Sequence, residues 1–204
     1  MAYQDDIKKV ATLLLPWDKL SGCNVLVTGA TGLIGGCLVD VLMAHKGRNY
    51  NVYASGRNEE RAGRRFLKYA DDNAFHFVKY DVAQPLEYDV NFQYIIHAAS
   101  GAYPEEFIKH PVEVIKGNIN GLDNLMGYGI QHGIKRLLYI SSGEVYGEGD
   151  GRVFTENYSG YVDCTSLRSC YPSSKRAAET LCISYGAEYG IDVVIARPCH
   201  VYGP

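Results

Sequence analysis

At 204 residues, with 47% hydrophobic and 21% charged residues, the chain is large enough for one substantial core and small for two. A formal net charge of −3 leaves no electrostatic footprint for nucleic acid, and no apolar run is long enough to cross a bilayer. The acidic N-terminus carries Asp5 and Asp6 before a short apolar patch ended by Pro16, which is not the pattern of a secretory signal and argues for the cytoplasm.

Six cysteines, at positions 23, 37, 164, 170, 182 and 199, show no Cys-x-x-Cys spacing. They are expected as buried free thiols, with neither a disulfide framework nor a metal site. In chain order, Ile7, Val10, Ala11 and Leu14 share one helical face, so residues 1–20 are expected as a helical extension covering an edge or end of a sheet. Residues 21–204 then alternate strand and helix patterns.

The first strand, Val25-Leu26-Val27-Thr28, runs into Gly29-Ala30-Thr31-Gly32-Leu33-Ile34-Gly35. Gly29 lets the chain turn, Gly32 leaves room where a pyrophosphate would approach the backbone, and Gly35 lets the following helix sit close to the sheet. That helix, patterned to about His45, offers the N–H groups of its first turn, from Leu33 and Ile34 onward, to an anion. The spacing is Gly-x-x-Gly-x-x-Gly, not the ordinary Gly-x-Gly-x-x-Gly.

Residues 51–55 form the second strand, followed by Ser55-Gly56-Arg57-Asn58 where a dinucleotide fold selecting NAD places an acid. A hydroxyl and a guanidinium there would hold a 2′-phosphate, so Arg57, with Asn58 beside it as a further cofactor contact, tilts the cofactor from NAD toward NADP; in the other reading Arg57 faces solvent and Asn58 caps the next helix. In that helix Arg61, Arg64, Arg65 and Lys68, beside Glu59 and Glu60, read as one solvated face.

The third strand is expected over 75–80, with Asp81 and Val82 just beyond it near an adenine. The fourth, over 93–100, is apolar nearly throughout and ends in Ala98, Ala99 and Ser100, small enough for close approach of a cofactor. His97 within it reads as a packed, hydrogen-bonded histidine. A helix opens at Pro111 and runs to about Gly129, with Asn118 facing the core and needing a partner. The fifth strand covers 137–142, and a long glycine-rich loop from 143 to about 168 is expected to be functional. A helix over 171–189 and a sixth strand over 193–196 follow. This alternation implies an α/β fold with a doubly wound parallel sheet of the Rossmann type, with ligands beyond the carboxyl ends of the strands.

The sharpest chemical signal lies there. Tyr171 and Lys175, four apart on one helix face, follow Ser142 at the tip of strand five. A phenol titrates at about 10, but an adjacent ammonium and an oxidised nicotinamide both favour its phenolate, and a serine hydroxyl aligns a substrate alcohol against it. Such a set removes a proton from an alcohol while a dinucleotide takes hydride.

The glycine turn, Ser141-Ser142-Gly143-Glu144-Val145-Tyr146-Gly147, the Tyr171/Lys175 pair and the run Arg197-Pro198-Cys199-His200-Val201-Tyr202-Gly203-Pro204 resemble the extended short-chain dehydrogenase/reductases of the NAD-dependent epimerase/dehydratase family. Within it, His97-Ala98-Ala99-Ser100, Ser142-Gly143-Glu144 and Arg168-Ser169-Cys170-Tyr171 are most similar to UDP-glucuronate decarboxylases. The resemblance implies an enzyme acting on nucleotide sugars, oxidising a C4 hydroxyl with Tyr171 as base. Ser142 orients the hydroxyl, Lys175 supports the base and holds the nicotinamide ribose, and Glu144 assists a later step.

The related 4,6-dehydratases carry an Asp where Gly143 stands; lacking the acid that protonates a leaving hydroxyl, Gly143 fits decarboxylation better. Arg168 either holds an anionic substrate or anchors its loop, and His200 replaces an Asn expected to contact substrate. The resemblance further implies a truncated cofactor domain over 21–204, with the substrate part beyond it, and a homodimer through the helices near 111–129 and 171–189. An NADPH-dependent ketosugar or carbonyl reductase and a non-catalytic dinucleotide-binding protein are the alternative readings.

Overall fold

The computed structural model describes residues 2–203; Pro204, the end of the last motif, lies outside the described residues. Six strands pair in parallel throughout: β1 (Asn24–Thr28), β2 (Asn51–Gly56), β3 (Phe75–Lys79), β4 (Tyr94–His97), β5 (Arg136–Ile140) and β6 (Asp192–Ala196). Their order is β3-β2-β1-β4-β5-β6. The chain runs outward from β1 to β3, then returns to β4 on the other side of β1, so the connections diverge at the β1/β4 border and open a crevice at the strand carboxyl ends.

Helices α1 (Ala2–Ala11), α2 (Leu33–Ala44), α3 (Glu59–Phe66), α4 (Pro104–Lys109), α5 (Pro111–Gln131) and α6 (Cys170–Tyr189) flank the sheet. Because strands alternate faces, one set of side chains, Leu26, Ile95 and Leu137, packs with Leu122, Leu125 and Met126 of α5 and Cys182 of α6. The other set, Val25, Val27 and Val52, packs with Val39 and Leu42 of α2 and Phe66 of α3. This double cover accounts for the continuously apolar strands. On the α2 side of the far strands the cover thins, and Val194 is exposed.

Several details differ from the sequence reading. β4 ends at His97, because residues 98 and 99 leave the ladder to meet the glycine turn. A separate helix, α4, starts on Pro104; it is divided from α5 by His110, whose φ of −135° puts it outside helical geometry as the residue before Pro111. The loop 143–168 lacks periodicity because side chains bonded to its backbone order it. Arg176 donates to the carbonyls of Val145 (2.7 Å) and Gly160 (2.8 Å), and Tyr146 stacks on Phe154. All six cysteines are free, but Cys164 and Cys199 are exposed on loops.

The N-terminal helix packs against α2, with Ile7 and Ala11 buried and Val10 and Leu14 exposed. The expected solvated basic face is likewise corrected, since two of its cations turn inward. Asp40 of α2 is fully buried and is reached by Arg65 (2.6 Å), Lys68 (2.9 Å), the Tyr3 hydroxyl (2.7 Å) and the Tyr69 hydroxyl (2.9 Å). Burial alone would raise its pKa, but these bonds together hold it below the usual carboxylate value. Asp40→Asn is therefore expected to cost about 2 kcal/mol in a urea titration, from lost charge-assisted bonds. A depressed carboxylate contributes stability above its unfolded pKa and loses it as pH falls, so the difference between wild type and variant should shrink below pH about 4.

Candidate active site

The glycine turn is built for close approach. Gly29 has φ +65°, and a Cβ there would lie 2.7 Å from Ala98 O and from the N and Cα of Ala99. At Gly35 a Cβ would run into Gly29 O, so α2 sits directly against the turn. Ala30 N donates to Ser55 O (3.0 Å) and Gly32 N to Gly29 O (2.9 Å), tying the turn to β2. Gly32 is the exposed N-cap of α2 and has no side-chain cap, while Leu33 is exposed and Ile34 half-buried beside it. The first-turn amides thus lack a protein side-chain acceptor and fit a dinucleotide pyrophosphate.

At the tip of β2, Thr31 lies against Gly56, and Arg57 is exposed beside it. Ser55 is buried, so its hydroxyl does not join Arg57 in facing a ligand. Asn58 is engaged as a cap: its Oδ1 accepts from Arg61 N at 2.8 Å. Asp81 is exposed and its carboxylate accepts from Ala83 N (3.1 Å), bracing its own turn. Half-buried Val82 packs on Gly121 of α5, and its carbonyl accepts from Asn124 Nδ2 at 2.9 Å.

A chain of polar contacts crosses from β4 to α6. Ser100 Oγ donates to Asn118 Oδ1 (2.8 Å), Asn118 Nδ2 donates to Ser174 Oγ (2.9 Å), and Ser174 Oγ donates to Tyr171 O (3.0 Å). Asn118 has thereby found the partners its burial demands. Fully buried His97 shares a 2.8 Å hydrogen bond with Thr28 Oγ1, and burial, with Lys175 nearby, pushes its pKa down to about 3. It is a packed, neutral histidine.

Tyr171, on the first turn of α6, is buried and brought beside both Ser142 and Ser100. Burial raises its phenol above the ordinary value, more than the contacts with those two hydroxyls lower it. Lys175 lies one turn on, 1% exposed; its Nζ donates to Ile140 O at 2.8 Å and lies 4.7 Å from the Tyr139 ring centroid and 5.8 Å from that of Tyr171. Burial brings the Lys175 pKa down to about 7, against an opposing pull from Glu179. In the protein alone, burial raises the phenol and lowers the amine.

Ser142 Oγ accepts from Glu144 N (3.2 Å), capping the turn that follows β5. Glu144 is half-buried and ion-paired to exposed Arg168, whose guanidinium carbon lies 4.8 Å from the Phe107 ring centroid. Gly143 faces the tip of β6, where a Cβ would meet Cys199 Sγ at 3.0 Å. His200 is exposed beyond it. Among the described residues no group of three or more His, Cys, Asp or Glu is placed to hold a metal ion, and no helix is long and apolar enough to cross a membrane.

The model of the NAD dependent epimerase/dehydratase family matches residues 25–204. The chain belongs to that family. It is 36% identical over 187 residues to UDP-glucuronic acid decarboxylase 6 of Arabidopsis thaliana, an alignment covering 90% of this chain and 52% of that protein. Two structures share the fold. UDP-glucuronic acid 4-epimerase from Bacillus cereus, in complex with NAD, aligns with a TM-score of 0.70 at 25% identity, over 89% of this chain and 57% of that one. A dTDP-glucose 4,6-dehydratase double mutant from Streptomyces venezuelae, with NAD bound, gives 0.74 at 24%, over 88% and 56%. The chain spans about half the length of the curated relatives it matches.

In this family member three contributors escaped the sequence reading. Phe107 stacks on Tyr171 with centroids 4.7 Å apart. Glu179 accepts from Ser141 Oγ (2.5 Å) and receives Arg197 through both carboxylate oxygens, which fastens α6 to the tips of β5 and β6. Arg176 orders the loop after Ser142. Glu179 and Arg176 lay in the helical pattern and could have been found from their charge at buried positions; Phe107 gave no signal.

Proposed function

We propose that the chain is the dinucleotide-binding part of an enzyme that oxidises the C4 hydroxyl of a nucleotide sugar, with decarboxylation of a UDP-uronic acid as the net reaction. What supports this reading is that Tyr171 lies beside Ser142 and Ser100, with the Lys175 amine 5.8 Å from its ring centroid. Gly29, Thr31, Gly32, Leu33, Ile34 and Gly35 would hold the pyrophosphate half of the cofactor, Arg57, Asp81 and Val82 its adenosine half, and Ala98, Ala99 and Ser100 would line the nicotinamide side. When bound, the oxidised dinucleotide supplies a cationic hydride acceptor. Tyr171 takes the C4 hydroxyl proton at its phenolic oxygen, Ser142 orients that hydroxyl, and Lys175, anchored on the Ile140 carbonyl, exchanges a proton near neutrality beside the phenol.

A 4-keto sugar bearing a C5 carboxylate then loses carbon dioxide: the bond between C5 and the carboxylate carbon breaks and its electron pair passes to the C4 ketone. No leaving hydroxyl needs protonation, which suits Gly143, and Glu144 stands near for the proton that returns to C5. The full-length protein, mixed with NAD and UDP-glucuronate, is expected to release carbon dioxide with no net NADH, the hydride taken from C4 being returned to the C4 ketone. Consumption of NADPH in amounts matching a 4-keto sugar, without carbon dioxide, would move the reading to a reductase.

Arg57 supports NADP over NAD, because an exposed guanidinium at the tip of β2 would meet a 2′-phosphate. Calorimetry is expected to give NADP the tighter binding by roughly threefold to tenfold, and Arg57→Ala should erase that difference. Tighter NAD binding by the wild type would refute the assignment. A homodimer through α5 and α6 is supported by exposed Ile115 and Ile183, and sedimentation would test it.

A further inference from the structure

Arg168 is held between an anion and an aromatic ring at the edge of the site. Its guanidinium pairs with the Glu144 carboxylate and lies over Phe107, and Phe107 in turn stacks on Tyr171. Phe107 is only 2% exposed, so the platform is fixed, whereas the ion pair is open: the side chains of Arg168 and Glu144 are 49% and 38% exposed. An exposed pair is cheap to break, and guanidinium is shaped to take a carboxylate through two parallel bonds. Glu144 is two residues past Ser142, whose hydroxyl would grip a sugar C4 hydroxyl. In a hexuronate the carboxylate hangs from C5, the neighbouring carbon.

We infer that Arg168 reads the carboxylate of a nucleoside-diphosphate hexuronate, and that Glu144 occupies it as an internal stand-in which the substrate displaces. The inference rests on the nucleotide-sugar reading above and adds to it the means of discrimination. A uronate keeps Arg168 paired while releasing Glu144; a neutral hexose leaves the internal pair closed. Binding of the anionic sugar thereby frees the Glu144 carboxylate, two residues past Ser142, and a neutral sugar does not.

Calorimetry on the full-length protein with NAD present, titrating UDP-glucuronate and UDP-glucose in parallel, tests this. Wild type should prefer the uronate. Arg168→Gln should weaken UDP-glucuronate roughly tenfold to a hundredfold and leave UDP-glucose unchanged, with Arg168→Lys recovering part of the loss. Glu144→Gln should tighten UDP-glucuronate by roughly twofold to fivefold, because the competitor is gone, again without effect on UDP-glucose. A merely structural ion pair would instead weaken both sugars in both variants, which would overturn the inference while leaving nucleotide-sugar binding intact. Wild type that binds the two sugars equally would also overturn it, and failure of both sugars to bind would overturn the underlying reading as well.

Discussion

Gly29→Ala is expected to abolish dinucleotide binding and to destabilise the fold by about 4 kcal/mol. A left-handed backbone costs an L-residue about 1–2 kcal/mol, and overpacking adds about 1–3 kcal/mol. Here the added Cβ would stand 2.7 Å from three backbone atoms of residues 98 and 99, none of which can rotate away as a side chain tip would. Relief requires the β1 turn and the strand-end of β4 to part, which moves the first-turn amides of α2 away from their aim. Denaturant unfolding would measure the first effect and calorimetry with NAD the second. A variant of wild-type stability that still bound NAD would remove the glycine turn from the cofactor site.

Tyr171→Phe is expected to lower sugar oxidation by roughly a hundredfold to ten-thousandfold, the usual worth of a positioned general base. Its ring stacks on Phe107 and is buried, and phenylalanine keeps both features, so stability should change little. The phenol must be ionised to accept the proton, and burial raises its pKa, so wild-type activity should climb with pH on the alkaline side of neutrality. The variant should lose that rise. Full activity in Tyr171→Phe, at unchanged stability, would defeat the proposed chemistry.

The parallel sheet was legible because its strands are buried on both faces and carry continuous apolar runs, and its helices repeat at a period near 3.6. Boundaries were less so: β4 was read three residues too far at its C-terminal end, since nothing local marks where Ala98 and Ala99 must bend toward Gly29. Asn58 offered a helix cap in one reading of the β2 tip, and the position of Arg61 N shows that cap made. Arg65 and Lys68 looked solvated from a helical wheel; a buried carboxylate on a different helix drew them in.

The sequence by itself determined the alternation of strands and helices and the glycine turn, because each depends on residues within one turn or one strand of one another. Spacing of four on α6 placed Lys175 near Tyr171 without any tertiary knowledge. The tertiary structure alone decided their surroundings. Burial of the Lys175 amine to a pKa of about 7, the Phe107 platform under Tyr171, and the Glu144–Arg168 pair all join residues far apart in the chain. Desolvation and charge act through space, so the electrostatic character of the site becomes fixed only when α4, α6 and the loop after β5 close around it.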